Sequence, residues 1–340
     1  FRRVLFRSNP GFIQPEHRKN EILGFLRQPL DDLCISRPKN RLSWGVELPF
    51  DSDYVTYVWF DALLNYVTAP GYLGNTENFE KWWPQAVHLI GKDILMTHAV
   101  YWPTMLMSAG IPLPKKIFAH GWWLLGESKM SKSLGNVVDP LKLIDEYGVD
   151  PVRYYLMREM VPGQDSSFTV ESFIKRYNSD LANDFGNLLS RVTNLMHKYF
   201  EGKIPDWGES TPAEDKMREN AESTTYLVNE LMKSMRINEA IEETMQFIRS
   251  VNKYLEKQAP WTLIKEDQKS AGRVLITASE SLRIGAKLLQ PIMPNRTQTL
   301  LDTFGTGNAE LGWGQMKPGN TLKKHNQLFP RIEIRKNFES

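Results

Sequence analysis

Between Asp51 and His120 the chain alternates short apolar runs with segments of helical length, and beyond Asp139 strand-forming runs nearly cease. That switch limits the fold more than any other feature. DSDYVTYVWF at 51–60 is β-branched and aromatic and reads as a buried strand. A helix-like ALLNYV and the turn-rich PGYLGNTEN follow. A second strand, Ala86–Ile90, ends at Gly91-Lys92-Asp93; the segment from Ile94 to Ala109 has helical length, and Lys116–His120 is a third strand. Strand, helix, strand, helix, strand at these lengths predicts a parallel sheet with helical crossovers. Ligands of such sheets sit at the carboxyl ends of the strands, which here are Trp59, Gly91–Asp93 and His120-Gly121.

Downstream, Asp150-Pro151 is expected to open a helix, with Asp150 as N-cap and the proline in its first turn. Helical stretches follow at about 170–200, 212–235, 238–258 and 270–290, broken by Pro205, Pro212, Pro260, Pro291 and Pro294. They predict a bundle. LFPRIEIRK at 328–336 reads as a weak strand or a return segment packed on that bundle. Residues 9–50, rich in Pro, Gly and charge, show no sustained period and read as a connector. Phe1–Ser8 (FRRVLFRS) is basic and apolar without the uninterrupted core of a signal peptide, and reads as a foreign leader.

A length of 340 residues suits two domains, and 41% hydrophobic with 24% charged residues is ordinary for a globular protein. The net charge of +2 leaves no global basic field, so any nucleic-acid contact rests on local patches. Apolar runs such as YVWF are too short to span a bilayer, and no membrane partner is expected. Cys34 is the only cysteine, which excludes an intrachain disulfide and a Cys-based zinc site within these residues and fits a reducing cytosol. The six histidines show no H-E-x-x-H spacing, so no metal site is expected.

GESKMSKSLGNVVDP sets Lys129 and Lys132 three apart among small hydroxyl residues, ahead of Gly135-Asn136. Such a loop concentrates mobile positive charge and suits a polyphosphate whose charge moves during reaction. An arbitrary K-x-x-K is more often a solvated basic loop. Here the string has company: LDDLCISR, YVWFDALLNY, HLIGKDI followed by HAVYWP, and the lysine loop itself, with EKQAPW at 256–261 further on. Together these resemble the methionyl-tRNA synthetase family of class I aminoacyl-tRNA synthetases over residues from about 10 to 335.

The resemblance implies an α/β fold: the second half of a parallel-sheet Rossmann-type nucleotide-binding domain, followed by an all-α anticodon-binding bundle. Residues 51–138 are then the C-terminal half of the catalytic domain, 139–169 stem-contact linker helices and 170–340 the bundle. It implies ATP-dependent formation of methionyl-adenylate and its transfer to methionine-specific tRNA in the cytoplasm, with Mg²⁺ accompanying ATP. Trp59, Ala62, Tyr66, His98, Tyr101 and Trp102 match the family's methionine-binding positions. From spacing alone such aromatic stripes are more often core, and His98, Tyr101 and Trp102 at i, i+3, i+4 share one helical face. A thioether gains about 0.3–1.5 kcal/mol from an aromatic edge, and a His–Tyr pair is suited to hydrogen-bond the sulfur. Leu63 stands where some members have Pro.

Gly91, Asp93, Trp123 and Lys132 match ATP-binding positions, with Leu124 beside Trp123 and Arg37 near the substrates. By the resemblance Asp93 accepts from ribose hydroxyls, although an Asp at a strand end serves equally as a helix N-cap. Lys129 and Lys132 are the catalytic pair, neutralising the departing pyrophosphate without a side-chain nucleophile. Asn187, Arg191 and Trp261 match anticodon-reading positions, where Trp261 stacks on a base; without the match, Trp261 would plug the end of a bundle.

One signature is absent. None of the six histidines brackets a short apolar-Gly segment at the opening of a first helix. That signature, the first strand, part of the methionine pocket and a tRNA-acceptor insertion are expected upstream of residue 1, so the fragment alone is expected to be inactive or nearly so. A non-catalytic tRNA anticodon-binding module and a class I ligase for another apolar amino acid are the alternatives.

Overall fold

A computed structural model describes residues 9–126 and 138–333, with Ser128 and Lys129 as backbone. The leader at 1–8 and positions 334–336 of LFPRIEIRK lie outside the described residues. Two compact units emerge: Phe1–Trp122 with Pro162–Gln164, and Trp123–Val161 with Asp165–Ser340.

The first unit holds β1 (Ile13–Gln14), β2 (Ser36–Pro38), β3 (Glu47–Leu48), β4 (Asp51–Thr56), β5 (Val87–Gly91) and β6 (Lys116–His120). β5 and β6 pair in parallel from Val87↔Lys116 to Gly91↔His120, so the two expected strand ends lie side by side. Their crossover contains a π-helical turn, Thr97–Tyr101, running into the helix Trp102–Ser108. The sheet order is β1-β6-β5, with β1 also parallel to β6. β1 comes from the stretch without a sustained period; two residues are too few to register one.

The strand expected at 51–60 is corrected in three respects. It stops at Thr56, it is antiparallel in a separate β2-β4-β3 sheet, and it is largely exposed, with Val55 its one buried residue. Trp59 therefore sits inside the helix Val58–Leu63 and not at a strand end. β-propensity describes a pleated, half-buried surface as readily as a core strand.

In the second unit β7 (Trp123–Leu125) pairs antiparallel with β8 (Ser128–Lys129) and parallel with β9 (Ser166–Phe168). A π-helical segment, Tyr177–Gly186, continues into Asn187–Tyr199, and long helices follow at Pro212–Lys233, Ile237–Gln258 and Gln268–Leu289. Pro212 and Pro260 occupy first turns, where the missing N–H costs nothing, and Thr211 with Glu214 forms a capping box. Gln268–Leu289 is the axis of the core, buried at every position from 274 to 286. Its buried Glu280 and Arg283 pair at 2.8 Å. Arg283 donates to the Glu310 and Gly312 carbonyls, and Glu280 accepts from the amides of Gln315 and Met316, which ties down the 310–316 loop.

Asp150 is a second correction. It lies inside the helix Val149–Glu159, whose N-cap is Gly148, and is buried. Its carboxylate accepts from the Arg296 amide (2.6 Å) and Asn295 Nδ2 (3.2 Å), so it serves the start of the helix Pro294–Thr303. At 328–333 the chain is a return segment: Leu328 and Phe329 are buried, and the Asn178 side chain exchanges both hydrogen bonds with the Ile332 backbone. No described helix is long and apolar enough to cross a membrane.

Candidate functional site

At the carboxyl end of β5, a Cβ added to Gly91 would lie 2.5 Å from Asp93 Oδ1 and 3.9 Å from the His120 ring. A side chain there would displace the Asp93 carboxylate, while the φ of −71° is ordinary for any residue. The space the glycine leaves is filled by the Asp93 carboxylate, which accepts from Trp122 Nε1 at 3.3 Å, while Lys92 lies 4.3 Å from the Trp122 ring centre. The N-cap alternative for Asp93 is not realised: the turn Lys92–Ile94 starts from Gly91 without a side-chain cap.

Five of the six residues expected around methionine fall into two groups, and Ala62 joins neither. Tyr66 and His98 meet at 3.0 Å between the hydroxyl and Nε2, and His98 Nδ1 lies 2.9 Å from the Ile94 carbonyl. A carbonyl only accepts, so Nδ1 carries the proton, and burial lowers the pKa of His98 and keeps the ring neutral. Nε2 must then accept from the Tyr66 hydroxyl. The His98 proton is engaged by Ile94 and the Tyr66 proton by His98, so the pair fixes ring orientation and has no proton left for a sulfur, unlike the expectation from sequence. Tyr66 also lies 6.1 Å from the buried Trp102, ring centre to centre. The other group is Trp59 and Tyr101, 5.7 Å apart, which line an open apolar cavity of about 930 Å³ with Phe60, Leu64, Met105 and the 28–35 segment. Ala62 is exposed on the Val58–Leu63 helix, whereas Leu63 is buried. The π-helical turn is why Tyr101 turns to Trp59 while His98 and Trp102 both face Tyr66.

His88 was missed. It is buried beneath Tyr66, ring centres 4.2 Å apart, and its Nε2 accepts from Trp102 Nε1 at 3.1 Å. Burial, with His98 nearby, brings its pKa down to about 4. The available signal was a polar residue at an inward position of VHLIG, where His88 and Ile90 alternate with exposed Val87 and Leu89. Arg37 stacks on Tyr57, 3.9 Å from the ring centre.

In the second unit Trp123 packs on Tyr155 at 6.0 Å, and Leu124 pairs with Lys129 across β7 and β8. The side chain of Lys129, and Lys132 entirely, lie outside the described residues. On the bundle, the Arg191 guanidinium lies 5.4 Å from the ring centre of Trp261 and within 3.7 Å of Glu256 and 3.5 Å of Asn252 Oδ1. Trp261 is 38% exposed, which a plug at a bundle end would not be. It follows the Ala259-Pro260 turn, where a left-handed residue (φ 41°) ends the helix Ile237–Gln258. Asn187 is exposed one turn before Arg191.

The fold is that of a class I synthetase, a Rossmann-like α/β domain followed by a helical domain. The family model for tRNA synthetases class I (M) matches residues 3–193, and that for the anticodon binding domain of methionyl tRNA ligase matches residues 204–337. The chain belongs to the methionyl class I tRNA synthetase family. It is 43% identical over 343 residues to a methionine–tRNA ligase of Caldanaerobacter subterraneus subsp. tengcongensis, covering 98% of this chain and 53% of that protein. For the Bacillus subtilis ligase the identity is 44% over 340 residues, with 96% and 51% covered. Among solved structures, a Mycobacterium tuberculosis methionyl-tRNA synthetase in complex with methionyl-adenylate superposes with a TM-score of 0.90 at 41% identity, covering 96% of this chain and 65% of that one. The chain spans about half the length of the curated relatives it matches.

Proposed function

We propose that this chain supplies the methionine pocket, the ATP contacts and the anticodon reader of a cytoplasmic methionine–tRNA ligase, which forms methionyl-adenylate from ATP and transfers the methionyl group to tRNA. The observation that carries the reading is the Tyr66–His98 pair, locked by the Ile94 carbonyl and set beside Trp102, with Trp59 and Tyr101 pairing on the same stretch of chain. Rigid, neutral aromatic walls suit a polarizable thioether. Such a pocket separates a methylene by only about 1–3 kcal/mol, so norleucine and homocysteine enter to a measurable extent.

Asp93, oriented by Trp122, receives the ribose hydroxyls beside Gly91, with Trp123 on the adenine side. A methionine carboxylate oxygen attacks the α-phosphorus, the bond to pyrophosphate breaks, and Lys129 and Lys132 balance the charge that leaves. Among the described residues no group of three or more His, Cys, Asp or Glu side chains is built to seat a metal. Mg²⁺ would accompany ATP, held mostly by phosphate oxygens and water. Arg191 and Asn187 hydrogen-bond the edge of a base stacked on Trp261. Lys132→Ala, in a protein of the relatives' full length that contains this chain, is expected to lower methionine-dependent ATP–pyrophosphate exchange by about 10²–10³. An unchanged rate would end this mechanism.

A further inference from the structure

The helix Asn187–Tyr199 carries a second polar surface that base reading does not use. Ser190, Thr193, Asn194 and His197 recur at helical spacing and form one wall of an open cleft of about 580 Å³, and the segment 324–327 forms the other. Among the described residues no carboxylate lines it. Lys324 is exposed at its edge without an ion pair or hydrogen bond to any described residue. The His197 ring is seated against Gly202, where a Cβ would come within 2.7 Å of Nδ1 and the φ of +70° favours glycine. His325 is oriented from two sides: Nδ1 donates to the Asn326 carbonyl at 2.8 Å, and Nε2 faces Thr193 Oγ1 at 3.4 Å.

The cleft continues the line of the proposed base reader. Asn194 stands seven positions beyond Asn187, about 20° around the helix and about 10 Å along it. That is of the order of one to two nucleotide steps of an extended single strand. A cleft with one unpaired ammonium group, two positioned imidazoles and amide side chains, and no acid, complements a phosphodiester with its sugar. It offers no apolar platform for a base.

We propose that this cleft holds the backbone phosphate of an RNA-loop nucleotide adjoining the base stacked on Trp261. The inference rests on the anticodon reading proposed above, and its test separates the two. Binding of a labelled methionine-specific tRNA to the chain is measured by fluorescence anisotropy across a potassium chloride series, for the unaltered chain, Lys324→Ala, Lys324→Arg and Trp261→Ala.

Loss of one phosphate contact lowers the slope of log K against log salt by about 0.7, so Lys324→Ala loses about 2.6-fold less affinity than the parent between about 50 and 200 mM salt. It also binds more weakly at low salt by the same factor whatever the anticodon sequence, and Lys324→Arg restores the slope. Lys324 is exposed, so its removal leaves the thermal melt in place. An unchanged slope in Lys324→Ala, beside weakened binding in Trp261→Ala, overturns the cleft and leaves base reading standing. A loss in Lys324→Ala that depends on the anticodon sequence also overturns it. Full affinity in Trp261→Ala removes the base reading instead, and no binding by the unaltered chain removes both.

Discussion

Acidification from pH 7 to pH 5 is a sharp probe of the aromatic site, because His88 has no room for a second proton. Its Nε2 accepts the Trp102 indole proton and its ring lies under Tyr66. Burial, reinforced by His98, moves its pKa from 6.5 to about 4. Between those values the unfolded imidazole is protonated and the folded one is not, so unfolding takes up a proton and stability falls as pH falls. The contribution is complete above pH 6.5 and gone near pH 4. At about 1.4 kcal/mol per pH unit the gap is worth about 3 kcal/mol, of which about 2 kcal/mol is lost by pH 5. His98, also lowered by burial, acts in the same direction. The assay is denaturant unfolding followed by tryptophan emission at both pH values, since Trp83 and Trp102 flank His88. His88→Gln keeps an acceptor for Trp102 and cannot titrate, so it should lose about 2 kcal/mol less than the parent. Equal losses would refute a neutral, buried His88 and with it the fixed geometry beneath Tyr66.

Two further outcomes follow from packing. Gly163 holds φ +75° with room for a Cβ only 2.5 Å from Pro15 Cγ and 2.7 Å from His17 Nε2, and its carbonyl accepts from Arg18; Gly163→Ala should destabilise by about 2 kcal/mol or more, and an unchanged melting temperature would contradict this. Arg283→Met alone strands the buried Glu280 carboxylate and should cost about 3–5 kcal/mol, whereas the double change with Glu280→Leu should recover part of that; a double variant no more stable than the single one argues against a buried charge as the cause.

How much of this was legible depends on the range over which each residue finds its partner. The bundle helices were readable because period and proline act within a turn or two: Pro212 and Pro260 fall at first turns, and Ile237–Gln258 and Gln268–Leu289 stand near where the pattern put them. β5 and β6 were readable as short apolar runs. Asp150 was misread because a carboxylate beside a helix start is a cap only if its own helix leaves it exposed; burial against Asn295 and Arg296, 145 and 146 residues away, gave it another helix to serve. The strand at 51–56 was misread in the same way, since sequence fixes its pleat but not which sheet receives it.

The aromatic site combines both cases. Trp59, Tyr66, His98, Tyr101 and Trp102 were identified through resemblance, yet their grouping was not, because one π-helical turn rotates Tyr101 toward Trp59 and leaves His98 to Tyr66. His88 escaped because its partner Trp102 lies fourteen residues on, across a crossover, and a lone histidine in a strand carries no local sign of the indole it will meet. Residue identity therefore singled out these side chains, while proton placement, with Nδ1 of His98 on Ile94 and Nε2 of His88 under Trp102, is a property of the assembled fold. That placement decides what the cluster can offer a ligand: with both imidazoles neutral and the His98 and Tyr66 protons engaged, it presents shape and polarizability and no charge.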